Sequence, residues 1–158
     1  MSPVRLPDKT LTAIGSGRKI DLQNFGLPTV FIFHYRGTAD IARTLNDFIR
    51  DKYPATEVLV ASVLDLHSIP KLARGATEAM IGREYKKAAE ELKADQPTED
   101  YVVLLADWNG GMTKALGFKN TDKTAGLAVF DSSGYLVGKY QGDEPQDALL
   151  SILEQALS

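Results

Sequence analysis

Apolar and polar positions along this chain fall into blocks of two periods. The most decisive block is Thr29–His34, whose centre Val30-Phe31-Ile32-Phe33 is apolar without interruption. Such a run predicts a strand covered on both faces. After the polar break His34-Tyr35-Arg36-Gly37-Thr38, Ile41, Leu45, Phe48 and Ile49 recur at helical spacing. This helix is expected to start with Thr38 or Asp40 at its N-cap and to end near Lys52, ahead of Pro54.

The remaining blocks extend the pattern in both directions. Residues 1–10, with two prolines and several charges, are expected to run extended over the surface. Leu11–Ile14 and Arg18–Leu22 flank the turn Gly15-Ser16-Gly17 and predict a small hairpin. Glu57–Val63 is a second β-rich run, followed by an irregular loop with Asp65, His67 and Pro70. Thr77–Ala94 is expected to be helical, with Met80 or Ile81, Tyr85, Ala88 or Ala89 and Leu92 along one stripe. Asp95–Asp100 breaks it, and Tyr101–Ala106 predicts a third buried strand. Gly110–Leu116 reads as a short helix and Phe118–Thr124 as a polar loop. Ala125–Phe130 and Tyr135–Tyr140 flank Asp131-Ser132-Ser133-Gly134 as a hairpin, and a last helix runs from about Glu144 to Leu157, with Pro145 at its start.

Strands separated by helices imply parallel pairing, and the short last turn implies an antiparallel pair. The expected fold class is α/β, a mixed central sheet flanked by helices, in one domain spanning residues 1–158. Phe31, Phe33, Val60, Leu104, Ala128 and Phe130 are the expected core. A composition of 44% hydrophobic and 25% charged residues suits a globular domain and argues against disorder. A net charge of −3 leaves no basic footprint for nucleic acid. No apolar run is long enough to span a bilayer, and the first residues lack the apolar segment of a signal peptide, so the expectation is a cytoplasmic protein without membrane association.

The polar residues that interrupt this texture are the candidates for chemistry. His34, Tyr35, Arg36, Thr38, Asp40 and Arg43 gather where a central strand hands over to a helix. A helix start offers free N–H groups and partial positive charge, so an anion site is one reading. The blander and commoner arrangement has Thr38 or Asp40 capping the helix, Arg36 in solvent, and the His34 ring satisfied by backbone. Asp65, His67 and Asp107 should lie just past strand ends, but their spacing matches no metal motif. No metal or cofactor is expected. Trp108, before Asn109-Gly110-Gly111, either anchors a partner or covers the end of the core. No serine occupies a nucleophile elbow, and no phosphate-binding glycine motif is present.

Three stretches resemble the thioredoxin-like superfamily, in its redoxin (peroxiredoxin-like and TlpA-like) branch. They are Arg18–Phe33, similar to the entry into the first core strand, Asp107–Phe118, similar to the segment before the final hairpin, and Ala125–Gly138, similar to that hairpin. The long helix between the second and third core strands also resembles YtfJ-type bacterial proteins. The resemblance implies a thioredoxin-like fold with its active loop at residues 34–42. There the family's C-x-x-C pair would fall at Thr38 and Ile41, or at Ala39 and Ala42, yet the chain contains no cysteine. The position of the family's cis-proline is Ala125, where an ordinary trans bond is expected. The expected function is therefore binding of a protein partner or a small anionic ligand, without thiol chemistry, through His34, Tyr35, Arg36, Thr38 and Asp40 with Asp65, His67 and Trp108 as neighbours. The alternatives are a redoxin-type enzyme working through non-thiol groups such as His34, Tyr35 and Arg36, and a self-associating domain.

Overall fold

The computed structural model describes residues 4–158. Strand β3 (Thr29–His34) lies at the centre of a five-stranded sheet, and all six of its residues are buried. Its neighbours are β4 (Leu59–Asp65), parallel, and β6 (Gly126–Phe130), antiparallel. Strands β5 (Leu104–Asp107) and β7 (Leu136–Gln141) are the two edges, giving the order β5-β4-β3-β6-β7. A separate two-stranded hairpin, β1 (Thr10–Thr12) and β2 (Lys19–Asp21), lies outside this sheet. Helix α1 (Ala39–Arg50) follows β3, α2 (Arg74–Glu90) follows β4, and the short α3 (Thr98–Tyr101) precedes β5. Helix α4 (Gly111–Ala115) leaves β5, and α5 (Pro145–Leu157) closes the chain.

Alternation along β3 divides the interior in two. Phe31 and Phe33 point to one face, with Ala61, Val63, Leu105, Ala128 and Phe130. Phe25 and Phe118 close over this layer, their ring centroids 5.4 Å from Phe31 and 5.0 Å from Phe33. Val30 and Ile32 point to the other face, where Leu45 and Ile49 of α1 and Leu149 and Leu153 of α5 cover them. Position 34 shares that second face.

Several sequence expectations need correction. The third strand is shorter than Tyr101–Ala106 and is an edge: Tyr101 ends α3, and Leu104 is only half-buried, so the core residues here are Val103 and Leu105. The second strand runs from Leu59 to Asp65 rather than Glu57 to Val63, which brings Asp65 onto the sheet. Helix α2 starts earlier, after a 3-10 turn at Lys71–Ala73, and stops before Leu92; Thr77 and Ile81 are its buried residues. The hairpin strands are shorter than expected because the chain bends after Thr12 and Asp21. The expectation that residues 1–10 lie over the surface fails at Leu6, which is buried, and at Arg5, which bridges to Tyr135; residues 1–3 lie outside the described residues. The Thr124–Ala125 bond is trans, as expected.

The aromatic layer sets a test of the fold. Phe31→Ala or Phe33→Ala is expected to cost about 3–5 kcal/mol, the usual cost of emptying a buried phenylalanine site. Chemical denaturation of each variant measures it; a midpoint unchanged from wild type would contradict the central position of β3.

Candidate functional site

The carboxyl ends of β3, β4 and β5 lie side by side, since His34 pairs with Leu64 and Asp65 with Asp107. The eight residues proposed from sequence therefore come to one end of the sheet. They do not form one site.

Tyr35 leads into a 3-10 turn, Arg36–Thr38, that passes directly into α1. Thr38 is the N-cap of α1 by position, but its side chain makes no cap bond. Its hydroxyl accepts from the Tyr35 N–H at 3.1 Å and donates to the Thr121 carbonyl at 2.5 Å. Gly37 lies against the Asp122 carbonyl, in the space a Cβ would occupy. Thr38 is thus buried against residue 121, while Arg36, Gly37, Ala39 and Asp40 stay exposed. Asp40 is exposed in the first turn of α1 and faces a groove toward the start of α5, away from His34.

Asp65 and His67 are occupied with each other, Nδ1 of His67 standing 2.7 Å from the Asp65 carboxylate. Gly110, at φ 70°, lets the loop after β5 come down on this pair, within 3.2 Å of the His67 Cβ from its own Cβ direction. Asp107 is buried and holds the start of α4, accepting from the Thr113 N–H at 2.9 Å and hydroxyl at 2.8 Å. Trp108 is half-buried beneath the Arg74 guanidinium, 5.2 Å from the ring centroid, so it closes the end of the sheet. Among the described residues no three metal-ligating side chains cluster.

His34, Tyr35 and Arg36 belong elsewhere. They line a cavity of about 510 Å³ between α1, α2 and the second face of the sheet. The register explains the gap. On that face β3 presents Val30, Ile32 and His34, β4 presents Val60, Ser62 and Leu64, and β5 presents Leu104 and Ala106. Val30, Ile32 and Val60 are covered by α1, while Ser62, Leu64, Leu104 and Ala106 are only half-buried. Helix α2 should cover them but stands off the sheet. Its side toward the β1–β2 turn carries Tyr85, packed on Gly15, and it turns only Thr77 and Ile81 fully inward. Met80, Glu84 and Ala88 continue the cavity wall along α2, and Arg43 and Asn46 along α1.

His34 is the anomaly in this wall. It is 8% exposed, and neither ring nitrogen has a hydrogen-bond partner. Burial lowers its pKa from 6.5 to about 4, an effect the Tyr35 backbone only partly offsets. At neutral pH the ring is uncharged, with one donor and one acceptor both unmet. The Tyr35 backbone lies close enough to favour the protonated ring, but its geometry falls short of a full hydrogen bond to either nitrogen. Sequence reasoning found His34, Tyr35, Arg36 and Arg43 but missed Ser62, Leu104 and the α2 wall. The readable signal was the small and polar stripe Thr77, Glu84 and Ala88, too weak to seal a sheet.

The sequence matches no family model and no curated protein. Solved structures do match over nearly the whole chain. The exposed lipoprotein thioredoxin Etrx1 of Streptococcus pneumoniae aligns at TM-score 0.62 and 20% identity, covering 94% of this chain and 99% of its own. A thioredoxin-like protein from Aeropyrum pernix aligns at 0.57 and 18% identity, over 94% and 89%. The fold is thioredoxin-like. A secreted Mycobacterium tuberculosis disulfide oxidoreductase homologous to DsbE shares it too, at TM-score 0.52 and 12% identity, over 94% of this chain and 96% of that one. This thioredoxin-fold chain has no cysteine, so neither thiolate attack nor disulfide exchange is open to it.

The His34 environment predicts a pH dependence. The folded pKa is depressed, so between pH 6.5 and about 4 the unfolded chain binds a proton that the folded chain refuses. Stability is full above that window and falls through it as pH drops, by roughly 3 kcal/mol at most from this group. His34→Asn should flatten that part of the stability profile, and the His34 imidazole resonances, assigned by their loss in that variant, should titrate near 4 by NMR. A His34 imidazole titrating at its ordinary value would show the ring to be solvated.

Proposed function

We propose that this protein is a small-molecule binding protein, using the cavity between α1, α2 and the sheet in place of the thiol site of its fold. The observation behind this reading is the buried, unpartnered His34 ring in the wall of a cavity of about 510 Å³. Ligand sites are commonly clefts of roughly 300–1,000 Å³ with apolar walls and few polar anchors. A buried polar group left without a partner costs about 1–3 kcal/mol. An aliphatic side chain at position 34 would avoid that cost, and a bound molecule that hydrogen-bonds the ring removes it.

Other features favour a ligand over a protein docking at the 34–40 loop. Thr38 is buried with its hydroxyl tied to the Thr121 carbonyl, which takes that side chain out of the surface a partner would use. The apolar positions Leu64 and Leu104 face the cavity rather than the exterior of the molecule.

The neutral fluorescent probe N-phenyl-1-naphthylamine tests the reading. It is expected to bind saturably, with enhanced emission, and to lose binding in Ser62→Leu, which fills the cavity from its floor. Thermal melting of the variant checks that the fold survives. Equal binding to Ser62→Leu and wild type, with both folded, would place the probe elsewhere and refute the proposal.

A further inference from the structure

The distribution of charge around the cavity goes further than its volume. Arg36 leaves His34 in the next turn of chain, and Arg43 lies one helical turn beyond Ala39, the first residue of α1; both reach the cavity wall. Arg36 stacks on Tyr35, its guanidinium 5.4 Å from the ring centroid. Among the described residues the ion pairs are Arg18–Asp100 and His67–Asp65, so neither Arg36 nor Arg43 is neutralised by a carboxylate. The single acid in the lining, Glu84, stands seven residues along α2 from Thr77, roughly 10 Å toward the opposite end. The end of the cavity beside His34 is therefore cationic.

The other end has Glu84 on its α2 side and is otherwise largely apolar. Below His34 the wall passes over Leu104 to Val60, which sits opposite Val30, four residues down β3 and roughly 13 Å away. Tyr101 closes that end, with the Arg50 guanidinium 5.1 Å from its ring centroid. Arg50 itself is turned to backbone, donating to the Val58 carbonyl at 2.8 Å, and does not line the cavity.

We infer that the ligand is an amphipathic monocarboxylate, its head beside His34 between Arg36 and Arg43 and its aliphatic tail running over Leu104 and Val60 toward Tyr101. This rests on the cavity-binding reading above. A carboxylate accepts charge-assisted hydrogen bonds from guanidinium groups, and also from the N–H of a neutral imidazole. A single negative charge balances the two arginines against the one Glu84. Along the tail the wall is mainly aliphatic and aromatic, with Ser62, Asn46, Thr77, Glu84 and the Tyr101 hydroxyl as its polar groups.

Three probes of equal chain length separate the head group from the cavity: decanoate, 1-decanol and decyltrimethylammonium. Affinities come from calorimetry below the aggregation concentration of each, and NMR shifts at Leu64, Ile81 and Leu104 confirm the location. Decanoate is expected to bind about tenfold or more tightly than decanol, the factor given by one charge-assisted contact. Arg36→Ala/Arg43→Ala should bring decanoate down to the level of decanol. If decanol binds the wild type as well as decanoate, or the cation binds best, the carboxylate inference is wrong while the cavity reading stands. If no probe shifts those residues, both fall.

Discussion

Everything in this molecule hangs on the burial of β3 from both sides. Its six residues sit between an aromatic layer and a helical layer, and period-two alternation leaves no freedom over which residue enters which layer. Each fully buried aliphatic or aromatic side chain there contributes about 1.5–3 kcal/mol of transfer free energy. A slip of one residue would exchange Phe31 and Phe33 with Val30 and Ile32 and destroy both layers. The same constraint puts His34 inside, on the helical face, because it is the next even position after Ile32.

What His34 meets there depends on how far the covering helices reach. Helices α1 and α5 cover β3, β6 and the near side of β4 with continuous apolar stripes. Helix α2 has no such stripe, and Tyr85 ties its side to the hairpin turn at Gly15, over the edge strand. The outcome is a sheet face half covered, with Ser62, Leu64 and Leu104 looking into space. A protein interior normally closes such gaps to crystal-like density. Here the gap persists next to a buried imidazole without a partner, so packing and hydrogen bonding both fall short at one place.

The loop after β3 is fixed by contacts across the chain. Thr38 and Gly37 anchor the loop to residues 121–122, and α1 starts without a side-chain cap. Thr38 is thus buried at the start of α1, while Ala39 and Asp40 in its first turn are exposed. Asp65 and His67 are hydrogen-bonded to each other nearby, and Asp107 is committed to the start of α4. Of the polar groups gathered at this end of the sheet, His34 has both ring nitrogens unpartnered and faces the cavity.

The sequence by itself determined the fold class, the element order, the absence of thiol chemistry and the central place of Thr29–His34. These follow from local periodicity, turn residues and composition, which act over a few residues at a time. It also marked His34, Tyr35 and Arg36 as unusual, since polar residues at the end of an unbroken apolar strand stand out. Tertiary structure decided the rest. Leu104 looked like core because it lies in an apolar run, but its strand is an edge, and which strand is an edge depends on pairing across the chain. Thr38, Asp40, Asp65, His67 and Trp108 looked like neighbours of Arg36 because all follow strand ends. Their separation came from side-chain pairings such as Asp65 with His67 and Thr38 with Thr121, a contact spanning 83 residues. The cavity could be seen only once α2 was placed against the sheet, because a void belongs to the distance between elements and to no residue in either.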